Sequence, residues 1–169
     1  LHAALDRVLD HGQVLLGPEV DTFEQRVAAA CGAGHCVGVA SGTSALYLAL
    51  KALGIGPGDE VITTSLSWVA TATAIAQAGA TPVFIDINDD LNIDPAGLAP
   101  ALSPRTKAIL PVHYCGRICD MPEIMHFADT RGLPIIEDAA QAFGASLSGV
   151  DRKSTRLNSS HGYISYAVF

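Results

Sequence analysis

The sequence predicts an α/β fold built on a mostly parallel sheet, and three observations carry that expectation. Short apolar runs alternate with amphipathic stretches in steps of roughly twenty to thirty residues, the pattern of successive βαβ units. Glycine and proline punctuate the joins, most densely at Gly54-Ile55-Gly56-Pro57-Gly58-Asp59. The 169 residues are 49% hydrophobic and 16% charged, which supplies a substantial core and lies far from the composition of a disordered chain.

The elements follow in order. Ala3 to Leu9 reads as a helix with Ala4, Leu5, Val8 and Leu9 on its apolar side. Asp21 to Ala30 is a second helix, with Asp21 as N-cap, Phe23, Val27 and Ala30 on one face, and Cys31-Gly32 at its end. Cys36 to Ala40 reads as a short strand, Ser41-Gly42-Thr43 as a turn, and Ser44 to Leu53 as a helix with Leu46, Leu50 and Leu53 at helical spacing. The Gly54 to Asp59 segment disfavours any continuation of that helix. Val61 to Thr64 is the next strand, Val69 to Ala78 the next helix with Gly79 as its cap, and Thr81 to Ile87 a strand. A short helix is expected over Pro95 to Leu102, capped by Asp94, with Pro95 in the first helical position and Pro100 limiting its length. Lys107 to His113 is a strand, Met121 to Thr130 a helix, and Pro134 to Glu137 a short buried strand before Asp138.

With 10 Lys and Arg against 17 Asp and Glu the net charge is −7, and no long basic run exists. That balance argues against nucleic acid or an anionic membrane as the main partner. Residues 61 to 85 carry no charge, but Thr63, Thr64, Ser65, Ser67, Thr71, Thr73, Gln77 and Pro82 interrupt them, so the stretch reads as buried strand and helix rather than a spanning helix. The four cysteines pair off in sequence as Cys31 with Cys36 and Cys115 with Cys119, neither at the two-residue spacing of a zinc knuckle. Reduced thiols of structural or incidental role in a cytoplasmic protein are the expectation.

Both ends read as cut. Leu1 already opens a helical period, and after Val150 the text loses any hydrophobic period. Residues 151–169, from Asp151-Arg152-Lys153-Ser154 to Phe169, resemble a translated sequencing adapter. The expected organisation is therefore a partial domain over residues 1–150 and a non-native tail over 151–169 without ordered structure. A parallel sheet that stops short leaves an open edge, which predicts aggregation of the isolated segment.

Ligands of open α/β sheets collect at the carboxyl ends of strands, and four such places carry chemistry. Ser41-Gly42-Thr43-Ser44 can cradle a phosphate with two hydroxyls and the N–H groups of a helix start, or serve as an ordinary N-cap. Trp68, the only tryptophan, can stack on an aromatic ring or belong to the core. In Glu137-Asp138-Ala139-Ala140-Gln141, Asp138 can hold a proton on a heterocyclic nitrogen or cap a helix, while Gln141 can donate to an oxygen on the same ring. His113-Tyr114 ends a strand and reads as a satisfied structural histidine. No G-x-G-x-x-G and no Walker lysine is present, which weakens nucleotide-binding alternatives. A phosphate cradle, a ring-stacking aromatic, an acid for a ring nitrogen and an amide for a ring oxygen together describe one ligand, pyridoxal 5′-phosphate (PLP).

At this point the segments Gly17-Pro18-Glu19-Val20, Gly38 to Leu46, Gly54 to Ile62, Gly79 to Phe84 and Glu137 to Gln141 resemble the DegT/DnrJ/EryC1/StrS family of sugar aminotransferases. The resemblance implies the large domain of a three-layer, fold type I PLP-dependent transferase with an incomplete, mostly parallel sheet, and a homodimer in the complete protein. It implies that Thr43 and Ser44 bind the cofactor phosphate, that Trp68 stacks on the pyridine ring, that Asp138 pairs with the ring nitrogen, and that Gln141 bonds the phenolic oxygen. It further implies transfer of an amino group, with glutamate as donor, to a nucleotide-linked keto-sugar.

One departure matters most. The only lysines are Lys51, Lys107 and Lys153, and none stands where the family's Schiff-base lysine belongs. The chain as written is expected to be inactive. Two other readings stay open: a non-catalytic PLP-binding regulator of the same fold, and an α/β enzyme that uses Ser41 to Ser44 for the phosphate of a nucleotide.

Overall fold

A computed structural model describes residues 2–145 and 164–166. The chain divides into two compact units, Leu1–Gly38 and Val39–Phe169. The first holds two helices, α1 (His2–His11) and α2 (Pro18–Ala30). α2 starts earlier than its apolar period suggests. Gly17 is the N-cap residue and Pro18, whose ring presets a helical φ, stands in the first turn, so Asp21 is an acid of that turn and not the cap. Within this unit Glu24 Oε1 accepts the Gly38 N–H at 2.6 Å, tying the end of the segment back to α2.

The second unit runs α3 (Gly42–Ala52), β1 (Glu60–Thr64), α4 (Val69–Ala78), β2 (Thr81–Ile85), α5 (Leu98–Ala101, entered through a 3₁₀ turn at Pro95–Gly97), β3 (Thr106–Leu110), α6 (Met121–Asp129), β4 (Ile136–Asp138) and β5 (Ile164–Tyr166). β1 pairs in parallel with both β2 and β3. Parallel bridges Ile109 to Ile135 and Val112 to Asp138 carry the sheet on to β4, which pairs in parallel with β5. The spatial order is therefore β2-β1-β3-β4-β5. The tail expected over residues 151–169 lies outside the described residues apart from these three residues of β5.

Side-chain alternation along the strands sorts the core into two layers. Val61, Ala108, Leu110, Val112 and Ile136 pack against Leu46, Ala49 and Leu50 of α3 and Ala74, Ile75 and Ala78 of α4. Their neighbours Ile62, Ile85, Ile109 and Ile135 pack on the opposite face against Leu98 of α5 and Met121, Ile124 and Ala128 of α6. Helix, sheet and helix form three layers, as expected for an α/β fold buried on both faces.

Local signals place most boundaries. Ser41 Oγ accepts the Ser44 N–H at the start of α3, Asp94 accepts from Ala96, and Asp120 accepts from Glu123 at the start of α6. Gly79 ends α4 in the left-handed region at φ 94°, and a Cβ there would stand 3.0 Å from the Pro57 ring. Besides the Asp21 cap, three expectations fail: the strand expected over Thr81 to Ile87 ends at Ile85, and two others have a clear cause. Cys36 to Ala40 is not a strand, because no strand among the described residues pairs with it, and an extended segment becomes a strand only with a neighbour. β3 ends at Leu110 and not at His113, since Pro111 has no N–H to give the ladder; only the bridge at Val112 continues the pairing.

Candidate functional site

Asp138 closes β4 opposite Val112, just beyond the carboxyl end of β3. Ile136 belongs to the α3/α4 core, so Asp138, two residues on, faces that same side, while Glu137 faces the α6 side with Ile135. The two adjacent carboxylates thus serve different faces. Asp138 is 8% exposed. Its Oδ2 accepts the Thr71 hydroxyl at 3.3 Å and its Oδ1 accepts the Ala140 N–H at 3.2 Å. Because Thr71 spends its hydrogen on the carboxylate, Ser67, 2.8 Å away, must donate to Thr71, giving a directed chain from Ser67 through Thr71 to Asp138. The backbone is held as firmly: Asp138 donates to Pro111 O and accepts from His113 N, at 3.0 and 3.1 Å.

Trp68 occupies the N-cap position of α4, and its carbonyl accepts the Thr71 N–H. It is 75% exposed, so the core reading of this residue fails and its indole face is open. At the start of α3, Ser41 takes the N-cap role, and Ser44 turns its hydroxyl to Ser41 Oγ at 2.9 Å. The Gly42 and Thr43 N–H groups have no acceptor inside the helix, as for any first turn. α3 shares the α4 side of the sheet, the side to which Asp138 points. Gln141 lies three residues beyond Asp138, and its Oε1 accepts the Cys115 N–H at 2.7 Å. No helix follows Asp138 among the described residues, so its alternative as a helix cap fails.

On the α6 side His113, 1% exposed, donates from Nε2 to Glu137 Oε2 at 3.0 Å. The tautomer follows from its other nitrogen, which faces the Cys119 backbone N–H at 3.3 Å and must accept. The Cys119 thiol sits 3.2 Å from the Val112 carbonyl. Burial, with the charges of Asp90 and Glu137 adding to it, pushes this thiol up to about 12. His113 is therefore a satisfied structural histidine clasping β3 to β4 behind Asp138. The four cysteines are free thiols.

The structure joins Asp138 to the Trp68 turn through Thr71 and sets Gln141 on the loop that continues from Asp138. Thr43 and Ser44 make no direct contact with these three. Sequence reading passed over Thr71, a buried hydroxyl whose only local signal is its place one turn into α4, between Ser67 and Ile75. It also passed over Asn92 and the Cys115 backbone, for which no local signal exists. Lys51 lies in the last turn of α3 and Lys107 near the amino end of β3.

Helices on both faces of a parallel sheet, with a buried acid, an open indole and a helix start on one side, match the architecture of fold type I aminotransferases. The chain belongs to the DegT/DnrJ/EryC1/StrS aminotransferase family, whose sequence profile matches residues 1–166. It is 50% identical over 150 residues to the UDP-2-acetamido-2-deoxy-3-oxo-D-glucuronate aminotransferase of Pseudomonas aeruginosa, covering 88% of this chain and 42% of that protein. Among solved structures it is similar to Streptomyces venezuelae DesV, at TM-score 0.83 and 51% identity over 85% of this chain and 39% of that one. It is also similar to Bacillus subtilis NtdA with bound cofactor PMP, at TM-score 0.82 and 38% identity over 87% of this chain and 34% of that one. The chain spans about two-fifths of the length of the curated relatives it matches.

Proposed function

We propose that the protein carrying this chain is a PLP-dependent aminotransferase that moves an amino group, with glutamate as donor, to a nucleotide-linked keto-sugar. The observation that carries the reading is Asp138: a buried carboxylate at a strand's carboxyl end, held by a hydroxyl and an N–H, with no cationic side chain within ion-pair distance among the described residues. A buried anion is costly without a positive partner, and a protonated ring nitrogen is such a partner. PLP, when bound, supplies an electron-withdrawing ring that accepts electron density from the α-carbon of the amino donor. Asp138 would keep the proton on the ring nitrogen, and Thr71 would hold the carboxylate in line. Trp68 would cover one ring face and exclude water from it. Thr43 and Ser44, with the first N–H groups of α3, would bind the phosphate, and Gln141 would donate to the phenolic oxygen.

Neither Lys51 nor Lys107 stands at the carboxyl ends of the strands, so neither is assigned the covalent role, and the chain as written is proposed to be inactive. Lys153 lies outside the described residues. A second reading, a non-catalytic PLP-binding regulator of the same fold, is supported by the 48% identity of this chain to a relative named a pleiotropic regulatory protein, from Geobacillus stearothermophilus. A homodimer acting in the cytoplasm completes the proposal; no helix among the described residues is long and apolar enough to cross a membrane.

The deciding experiment is PLP uptake by the complete protein, read from absorbance after dialysis, with Asp138→Asn alongside. Loss of the charged partner should weaken retention at least about tenfold, the worth of one hydrogen bond to a charged group. Equal retention by both proteins would overturn the reading. Borohydride reduction separates the two versions: a reduced adduct on one lysine together with turnover marks the enzyme, and uptake without either marks the regulator.

A further inference from the structure

The Tyr114–Gly116 turn, which follows β3, holds Cys115 in a backbone conformation that its residue type disfavours. Cys115 sits in the left-handed region at φ 51° and ψ 30°, followed by Gly116 at φ 81°. A side chain at φ near +50° is disfavoured, so surrounding contacts must hold it there. Two such contacts exist. Asn92, 1% exposed on the loop after β2, accepts the Tyr114 N–H through Oδ1 at 3.0 Å. The Arg117 N–H closes the turn on Tyr114 O at 3.0 Å. A Cβ on Gly116 would stand 3.2 Å from the Gln141 carbonyl oxygen, a close approach that suits glycine.

The result of this conformation is that the Cys115 N–H points at the Gln141 side chain, 2.7 Å from Oε1. A backbone N–H can only donate, so the amide atom facing it is the oxygen. The other end of the amide, Nε2, can then only donate. An exposed glutamine would otherwise offer either end to a ligand.

Resting on the cofactor assignment above, we infer that the Tyr114–Gly116 turn, anchored by Asn92, is a positioning device that commits Gln141 to donate to an oxyanion of the ligand. The positioning group is the Cys115 backbone N–H; its thiol plays no part. The turn thereby selects a ligand with an anionic oxygen at that point of the ring and disfavours one with a hydrogen-bond donor there.

The test uses the complete protein with the variants Gln141→Ala, Cys115→Gly and Cys115→Val. Glycine accepts the left-handed backbone, whereas a β-branched valine resists it, and both remove the thiol. In the PLP-loaded protein, Gln141→Ala should raise the pH midpoint of the bound PLP's visible absorbance, because the oxyanion loses a donor. Cys115→Val should raise it in the same sense, and Cys115→Gly should leave it unmoved. Without added PLP, amide hydrogen exchange at Cys115 should be about tenfold faster in Gln141→Ala than in the unmodified protein, as expected for one lost hydrogen bond. This second measurement decides the contact even if Cys115→Val fails to fold. Equal exchange in the two proteins overturns the inference. So does a midpoint unmoved in Cys115→Val but raised in Gln141→Ala, which leaves the cofactor assignment standing. Equal shifts in Cys115→Gly and Cys115→Val place the effect in the thiol and overturn it as well. Failure of the unmodified protein to take up PLP overturns the cofactor assignment and the inference together.

Discussion

Thr71 and Asp138, 67 residues apart in the chain, meet through a buried 3.3 Å hydrogen bond in which the hydroxyl donates to the carboxylate. The bond ties α4 to the end of β4. It also fixes the polarity of the Ser67 hydroxyl behind it, so one methyl-for-hydroxyl exchange would disturb both the buried Asp138 carboxylate and the half-buried Ser67.

Thr71→Val keeps the shape of the side chain and removes that donor. Asp138 then loses a partner in a buried setting, and stability is expected to fall by about 1–3 kcal/mol. Urea unfolding of the variant measures the loss, and Thr71→Ser should recover most of it.

Ser41→Ala and Thr43→Ala separate capping from ligand binding. Ser41 Oγ accepts the Ser44 N–H, so Ser41→Ala should cost about 1 kcal/mol of stability through α3. Thr43 caps nothing, so Thr43→Ala should leave thermal unfolding nearly unchanged and weaken PLP retention through the phosphate. The reverse pattern would remove Thr43 from the site.

The two cysteines flanking the Arg117 turn should differ sharply in reactivity. Cys119 is buried and its thiol pushed up to about 12, whereas Cys115 is exposed. With iodoacetamide at about pH 8, Cys115 is expected to be alkylated and Cys119 spared until denaturant is added. Below the ordinary thiol value of 9.0 both folded and unfolded states keep the Cys119 proton, and its contribution does not vary with pH. From there to about 12 only the unfolded state releases it, so stability should fall as pH rises through that window. Cys119→Ala should flatten that part of the profile.

Ile109 is fully buried at the centre of the sheet, on the α5/α6 side. Ile109→Ala should cost about 2–5 kcal/mol by removing buried methyl groups and leaving a cavity. Isothermal denaturation checks the magnitude, and Ile109→Val should cost about 0.5–1.5 kcal/mol.

Much of the fold was legible because it follows from local rules. The helix Val69–Ala78 and its glycine cap, the short capped turn at Asp94 and the strand ending in Asp138 all sit within a residue or two of their sequence-based positions. The strand expected over Cys36 to Ala40 was not legible as a failure, since a strand needs a partner that local pattern does not reveal. At the site, Asp138 was readable as an acid after an apolar run. Thr71, which holds it, looked like any other hydroxyl on a helix, and Asn92 like any other loop amide.

By itself, the order of residues determined where strands and helices begin, which residues lie at strand ends, and the family to which the chain belongs, because periodicity, capping and motif spacing act over a few neighbours. Only the tertiary structure decided that Glu137 serves His113 while Asp138 serves Thr71, and that the Cys115 N–H meets the Gln141 side chain. Those pairings depend on strand order and register. Crossovers spanning tens of residues set both, and bring together groups that share no local pattern.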